Sequence, residues 1–154
     1  FVSAFLSVLL TSLIRLVILI PVFLIGGVRP GLSTVLAPFG VAALLLLGFA
    51  IGLLLAPFGA LYRDIGEAIP VTLYFLFFLT PVAYTLNPEA PGGNIMSHNP
   101  VTPMMTAARD WLTGGSMSMP SGWLVMLLIS LLILVAGWVI FRVSMPHIVD
   151  RINA

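Results

Sequence analysis

The chain has 154 residues, of which 60% are hydrophobic and only 7% charged, against about 25% charged in an average soluble domain. With a mean hydropathy of +1.20, this composition argues against a water-soluble globular domain. All six basic residues are arginine and the net charge is +1, so a phosphate loop ending in Lys-Ser/Thr, a Schiff-base lysine and a lysine-rich nucleic-acid patch are all excluded. The absence of cysteine removes thiol nucleophiles, disulfides and cysteine metal sites.

Ionisable residues separate long uncharged runs, and an apolar run of about 18 residues or more is the signature of a membrane-spanning helix. Four spans are expected, at residues 8–27, 34–56, 66–86 and 122–141. In lipid the backbone polar groups must be satisfied within each segment, so the fold is expected to be an all-α membrane bundle. The first span is not a cleavable signal peptide: it lacks a basic leading region and carries Arg15 inside its apolar stretch. Since Phe1 opens inside hydrophobic material, the chain is expected to be the C-terminal part of a longer polytopic subunit.

An arginine at mid-membrane costs about 2.5–3.5 kcal/mol on insertion scales, so Arg15 is expected to snorkel to the cytoplasmic end, with an arginine facing a polar pathway as the functional alternative. Along the second span, Gly48, Gly52, Ala56 and Ala60 form a small-residue stripe, for which packing inside the subunit is favoured over a dimer seam. Four crossings return both termini to one side. The loop between spans two and three shares that side, and the arginine count there favours cytoplasmic termini.

In that loop, Tyr62-Arg63-Asp64-Ile65 is followed by Glu67. Asp64 and Glu67 can cap the N-terminus of the third span, and Arg63 can pair with Glu67 four residues on. A solvated turn accounts for these residues as well as a docking role does. Within the third span, Tyr74, Phe77 and Phe78 recur at helical spacing, with Tyr84 nearby. Such faces suit a sliding sugar chain, although core packing and lipid contact are the commoner uses of any single ring. Pro81 is expected to kink this span, opening it toward the following loop.

Residues 87–121 form the longest polar stretch, punctuated by Asn99-Pro100, Gly114-Gly115 and other breakers. Thr102 can cap a short helix with Pro103 at its first position and Gly114 beyond its end. Met104, Met105, Ala108, Trp111 and Leu112 would share one face, with Thr106, Arg109, Asp110 and Thr113 on the other. This reads as an amphipathic helix that re-enters the outer membrane face or lies flat upon it. In the last span Trp123 and Trp138, about 22 Å apart at 1.5 Å per residue, suit two interfacial aromatic belts. A short tail, 142–154, follows.

Catalysis finds little support. Glu89, His98, Arg109 and Asp110 are the outer-loop residues available, without a close carboxylate pair or a histidine cluster, and His147 has no metal-ligand spacing to another histidine. Ion-coupled transport needs ionisable residues inside the spans, and apart from Arg15 these have none. Uphill transport by this chain would draw its energy from another subunit.

Taken in order, Tyr62-Arg63-Asp64-Ile65, Phe77-Phe78-Leu79-Thr80-Pro81-Val82-Ala83-Tyr84, Asn99-Pro100-Val101-Thr102-Pro103 and Gly114-Gly115, then a last span and Phe141-Arg142, resemble the permease subunit of type-2 ABC exporters. The resemblance is to the branch that exports O-antigen, other polysaccharides or teichoic acids. It covers essentially the whole chain and implies the last four of six spans.

It further implies a homodimeric channel in the bacterial cytoplasmic membrane for a lipid-linked glycan or polyol-phosphate chain. A separate cytoplasmic ATPase would bind ATP and magnesium, leaving this chain without a cofactor of its own. The turn Tyr62, Arg63, Asp64, Ile65 and Glu67 would meet that ATPase. Asn99, Pro100, Thr102, Pro103, Arg109 and Trp111 would belong to the outer gate, and Tyr74, Phe77, Phe78 and Tyr84 would line the channel. Residues 88–94 are richer in proline and glycine than a helical first gate element. A drug or lipid cargo on the same fold is the alternative, and a membrane enzyme acting on lipid-linked sugars a more distant one.

Overall fold

The computed structural model describes residues 2–25, 31–81 and 93–152. Every regular element among them is helical: α1 (Val2–Ile25), a 3₁₀ turn (Leu32–Leu36), α2 (Ala37–Leu61), α3 (Arg63–Leu79), α4 (Gly93–His98), α5 (Thr102–Leu112) and α6 (Pro120–Ile152). The chain is all-α, as its uncharged runs require. Two segments are long and apolar enough to cross a membrane, Leu32–Leu61 and Pro120–Pro146. Only 28% and 17% of their most apolar stretches are buried within the chain, whereas the central helix of a soluble domain is apolar because its surroundings cover it.

Several boundaries differ from those expected, each for a local reason. The second helix continues through Pro57 to Leu61, and α3 begins after one non-helical residue, at Arg63. Its other end is Leu79, because Thr80 takes the extended backbone (φ −102°, ψ 135°) favoured before proline. Pro81 therefore stops this helix instead of kinking it, and α3, at 17 residues, lies at the short end of the roughly 17–25 residues that span a bilayer. Residues 82–86 of the expected third span, with Tyr84, lie outside the described residues. The expected tail continues α6 as helix to Ile152, across Pro146.

Contacts divide the chain into two units. The first comprises Phe1–Leu45 and Pro100–Leu127. Its buried side chains are Ala37, Ala43, Thr102, Met104, Thr106, Ala107, Ala108, Trp111 and Met126, so α5 supplies most of its interior. A Cβ added to Gly40 would lie 2.8 Å from Ala108 Cα, and one added to Gly122 would lie 3.0 Å from Pro103 Cγ. These glycines let the first turns of α2 and α6 press against α5. Arg15, on α1, is exposed.

The second unit comprises Leu46–Asn99 and Leu128–Ala154. Leu47, Ala50, Leu53, Thr80, Asn99 and Ser130 are buried in it. Here α2 and α6 meet at Gly137, whose added Cβ would stand 3.0 Å from the Leu54 backbone nitrogen and 3.4 Å from the Ala50 carbonyl oxygen. The small-residue stripe is not the packing face. Gly48 and Gly52 are exposed, and a Cβ on either would meet nothing within 4 Å among the described residues. Packing within the subunit falls instead on the buried Leu47, Ala50 and Leu53, beside the close backbone approach that Gly137 allows.

Replacing Gly137 by valine should destabilise the chain by about 1–3 kcal/mol, the usual cost of overpacking, whereas Gly52→Ala should be neutral or slightly stabilising through helix propensity. Unfolding of both variants in mild detergent by a denaturing co-detergent checks the contrast.

Candidate functional site

Between α2 and α3 the chain breaks helix at Tyr62 alone (φ −124°, ψ 109°). The break is stitched on both sides: the Tyr62 N–H donates to the Phe58 carbonyl (2.8 Å) and the Ile65 N–H to the Tyr62 carbonyl (3.3 Å). Arg63 Nε donates to Glu67 Oε1 at 3.2 Å, with the two side chains 91% and 70% exposed. This is the expected spacing of four. The capping pair of Asp64 and Glu67 does not form. Because α3 starts at Arg63, Asp64 is already inside its first turn, where a negative charge complements the helix dipole. Tyr62 makes no side-chain cap. Tyr62, Arg63, Asp64 and Glu67 are exposed and Ile65 is half-buried, which leaves this turn a charged, accessible surface.

α5 is the second candidate element. Val101 is its N-cap, with no side-chain cap, so Thr102 and Pro103 occupy the first two helical positions, one step earlier than expected. Thr106 is buried, contrary to the polar face assigned to it. Its hydroxyl donates back to the Thr102 carbonyl at 2.9 Å, which satisfies the group without water. Ala107 is buried too. The helix is thus covered on more than its apolar side, while Arg109 and Asp110 are half-buried.

Its end is fixed tightly. Gly114, at φ +77°, donates to the Trp111 carbonyl, and Gly115 donates to the Asp110 carbonyl at 2.8 Å; together these form the Schellman arrangement that glycine permits. The Asp110 carboxylate then accepts from the Ser118 N–H (2.8 Å) and hydroxyl (2.6 Å), strapping the following loop to the helix. Trp111 meets Trp123 edge-on, with centroids 5.5 Å apart. Trp123 is half-buried, whereas Trp138 is 53% exposed, with the Arg142 guanidinium 5.5 Å from its ring centroid.

Asn99 and Pro100 precede α5. Asn99 is buried, and its carboxamide nitrogen donates to the Leu79 carbonyl (3.2 Å) and the Thr80 hydroxyl (3.1 Å). Pro100 is exposed. On α3, Pro70, Leu73, Tyr74, Phe77 and Phe78 line an open groove of about 530 Å³. Tyr74, Phe77 and Phe78 are 71%, 50% and 70% exposed, and the two phenylalanines meet edge-on at 5.8 Å. Three of the four expected lining residues thus share one accessible face. The sequence reading passed over Gly40, Gly122 and Ser118, whose importance depends on neighbours distant along the chain. Pairing Asp110 with the serine of the next polar run was the one signal available.

Compared with known proteins, the chain matches no family model and no curated protein. Among the described residues there is no group of His, Asp and Glu able to hold a metal.

A double-mutant cycle over Arg63 and Glu67 should return less than about 0.5 kcal/mol, as exposed pairs do. Gly114→Ala should cost about 1 kcal/mol, since alanine resists a positive φ. Denaturation of the purified chain reads both values.

Proposed function

We propose that the chain is the permease portion of an ATP-driven type-2 ABC exporter of lipid-linked polysaccharide or polyol-phosphate chains. The observation that carries the reading is α5. It is a short helix with buried threonines, held by close contacts of Ala108 with Gly40 and of the Pro103 ring with Gly122, at the beginnings of the two membrane-length helices. A helix in that position suits a re-entrant gate better than a flat interfacial helix, which would keep one face in water. In this reading the chain crosses the membrane four times with cytoplasmic termini, α4 and α5 form the outer gate, and a second copy completes the channel.

The exposed aromatic face of α3 supports a glycan cargo, since rings offer apolar area to sugar without tight binding. The uncharged long helices support an external energy source. That source is a cytoplasmic nucleotide-binding subunit docking on the accessible turn Tyr62–Glu67, with ATP and magnesium held by the partner.

Co-purification of the full-length subunit with a candidate nucleotide-binding ATPase tests this. Arg63→Glu and Glu67→Arg should each abolish the complex while leaving membrane insertion intact, and the weak coupling of that pair keeps lost folding from explaining the result. Unchanged binding would remove the turn from the contact, and a wild-type subunit that binds no ATPase would overturn the reading.

A further inference from the structure

None of the α3 side chains is buried, yet the two residues that follow it, Thr80 and Pro81, are almost fully enclosed. The helix is therefore secured at its end and not along its length. The end has a specific deficit: the last carbonyls of a helix lack partners, and Pro81 has no N–H to offer them. The Thr80 N–H reaches the Leu76 carbonyl at 2.9 Å. The Leu79 carbonyl is satisfied from far along the chain, by Asn99 Nδ2 at 3.2 Å.

The same amide nitrogen donates to Thr80 Oγ1 at 3.1 Å. A carbonyl can only accept, so the carboxamide must turn its NH₂ to this pair. Asn99 is also tied to α4, since its backbone N–H donates to the Met96 carbonyl at 3.3 Å. One buried residue thus closes the C-terminal ends of two helices that lie about twenty positions apart in sequence.

We infer that Asn99 is a positioning residue that fastens α4 to the C-terminal end of α3, so that the two ends open and close as one body. Aspartate does not substitute at the helix end: the Thr80 hydroxyl can turn and donate to its carboxylate, but the Leu79 carbonyl then faces an acceptor and loses its donor. Alanine removes the donor from the part-buried Leu79 carbonyl and from the buried Thr80 hydroxyl oxygen, a larger loss than that of an exposed hydrogen bond. Thr80→Ser keeps the acceptor and Thr80→Val removes it. The inference goes beyond the exporter reading and does not depend on it, because neither an ATPase nor a substrate enters.

Amide hydrogen exchange on the full chain in lipid nanodiscs tests it. In Asn99→Ala and Asn99→Asp, the Leu76–Thr80 and Met96–Asn99 amides should exchange faster together, by about tenfold, with the Leu128–Trp138 amides of α6 unchanged. Thr80→Ser should match wild type, and Thr80→Val should speed both segments by a smaller factor. Wild-type exchange in Asn99→Ala, acceleration of one segment without the other, or equal damage from Thr80→Ser and Thr80→Val would each overturn the inference. Acceleration throughout α6 would do so as well, by making Asn99 a general stability residue.

Discussion

Residue 40 has no room for a side chain. With Ala108 Cα 2.8 Å from the place where a Cβ would stand, α2 and α5 touch backbone to backbone, and the arrangement around α5 depends on that contact. It draws Trp111 inward, where the ring meets Trp123, and it encloses Thr106, whose hydroxyl is satisfied by its own helix. Enclosure in turn makes the helix end critical. The glycine pair after Thr113 closes the last carbonyls, and Asp110 ties down the loop that follows. A larger residue at position 40 would loosen all of these together, since each relies on α5 lying close.

The distribution of polarity departs from that of a soluble domain chiefly at the surface. Thr80, Asn99, Thr102, Thr106 and Ser130 are buried beside the apolar core, while Phe39, Phe75, Phe78 and Leu132 are about two-thirds exposed or more. In water such a surface would drive aggregation. In hydrocarbon it costs nothing, and it is the enclosed hydroxyls and amides that need partners. At Thr106 and at Asn99 and Thr80, hydrogen bonds within the chain supply them.

The sequence made the helices legible because uncharged runs and breakers are local signals. Gly114 past the end of α5 and the Arg63–Glu67 spacing were readable for the same reason. Failures came where tertiary contact or backbone satisfaction overrode local pattern. Thr106 looked polar and outward-facing because periodicity does not register a hydroxyl bonded to its own backbone. Gly48 and Gly52 looked like a packing stripe, yet the glycines that do allow close approach, Gly40, Gly122 and Gly137, stand singly and follow no repeat. Pro81 was read as a kink, but its effect on the preceding residue ended the helix. For Asn99, the Asn-Pro step marked a turn without revealing which distant carbonyl its amide would meet.

Arg142, stacked over Trp138, closes the uncharged part of α6. From Pro120 to Phe141 that part is about 33 Å long at 1.5 Å per residue, slightly more than the roughly 30 Å of a typical hydrocarbon core. A bilayer with shorter acyl chains would have to thicken around such a helix or let it tilt, at a fraction of a kcal/mol for each Å of mismatch. Acyl-chain length would thus become a mechanical load on α6, which longer-chain lipids relieve.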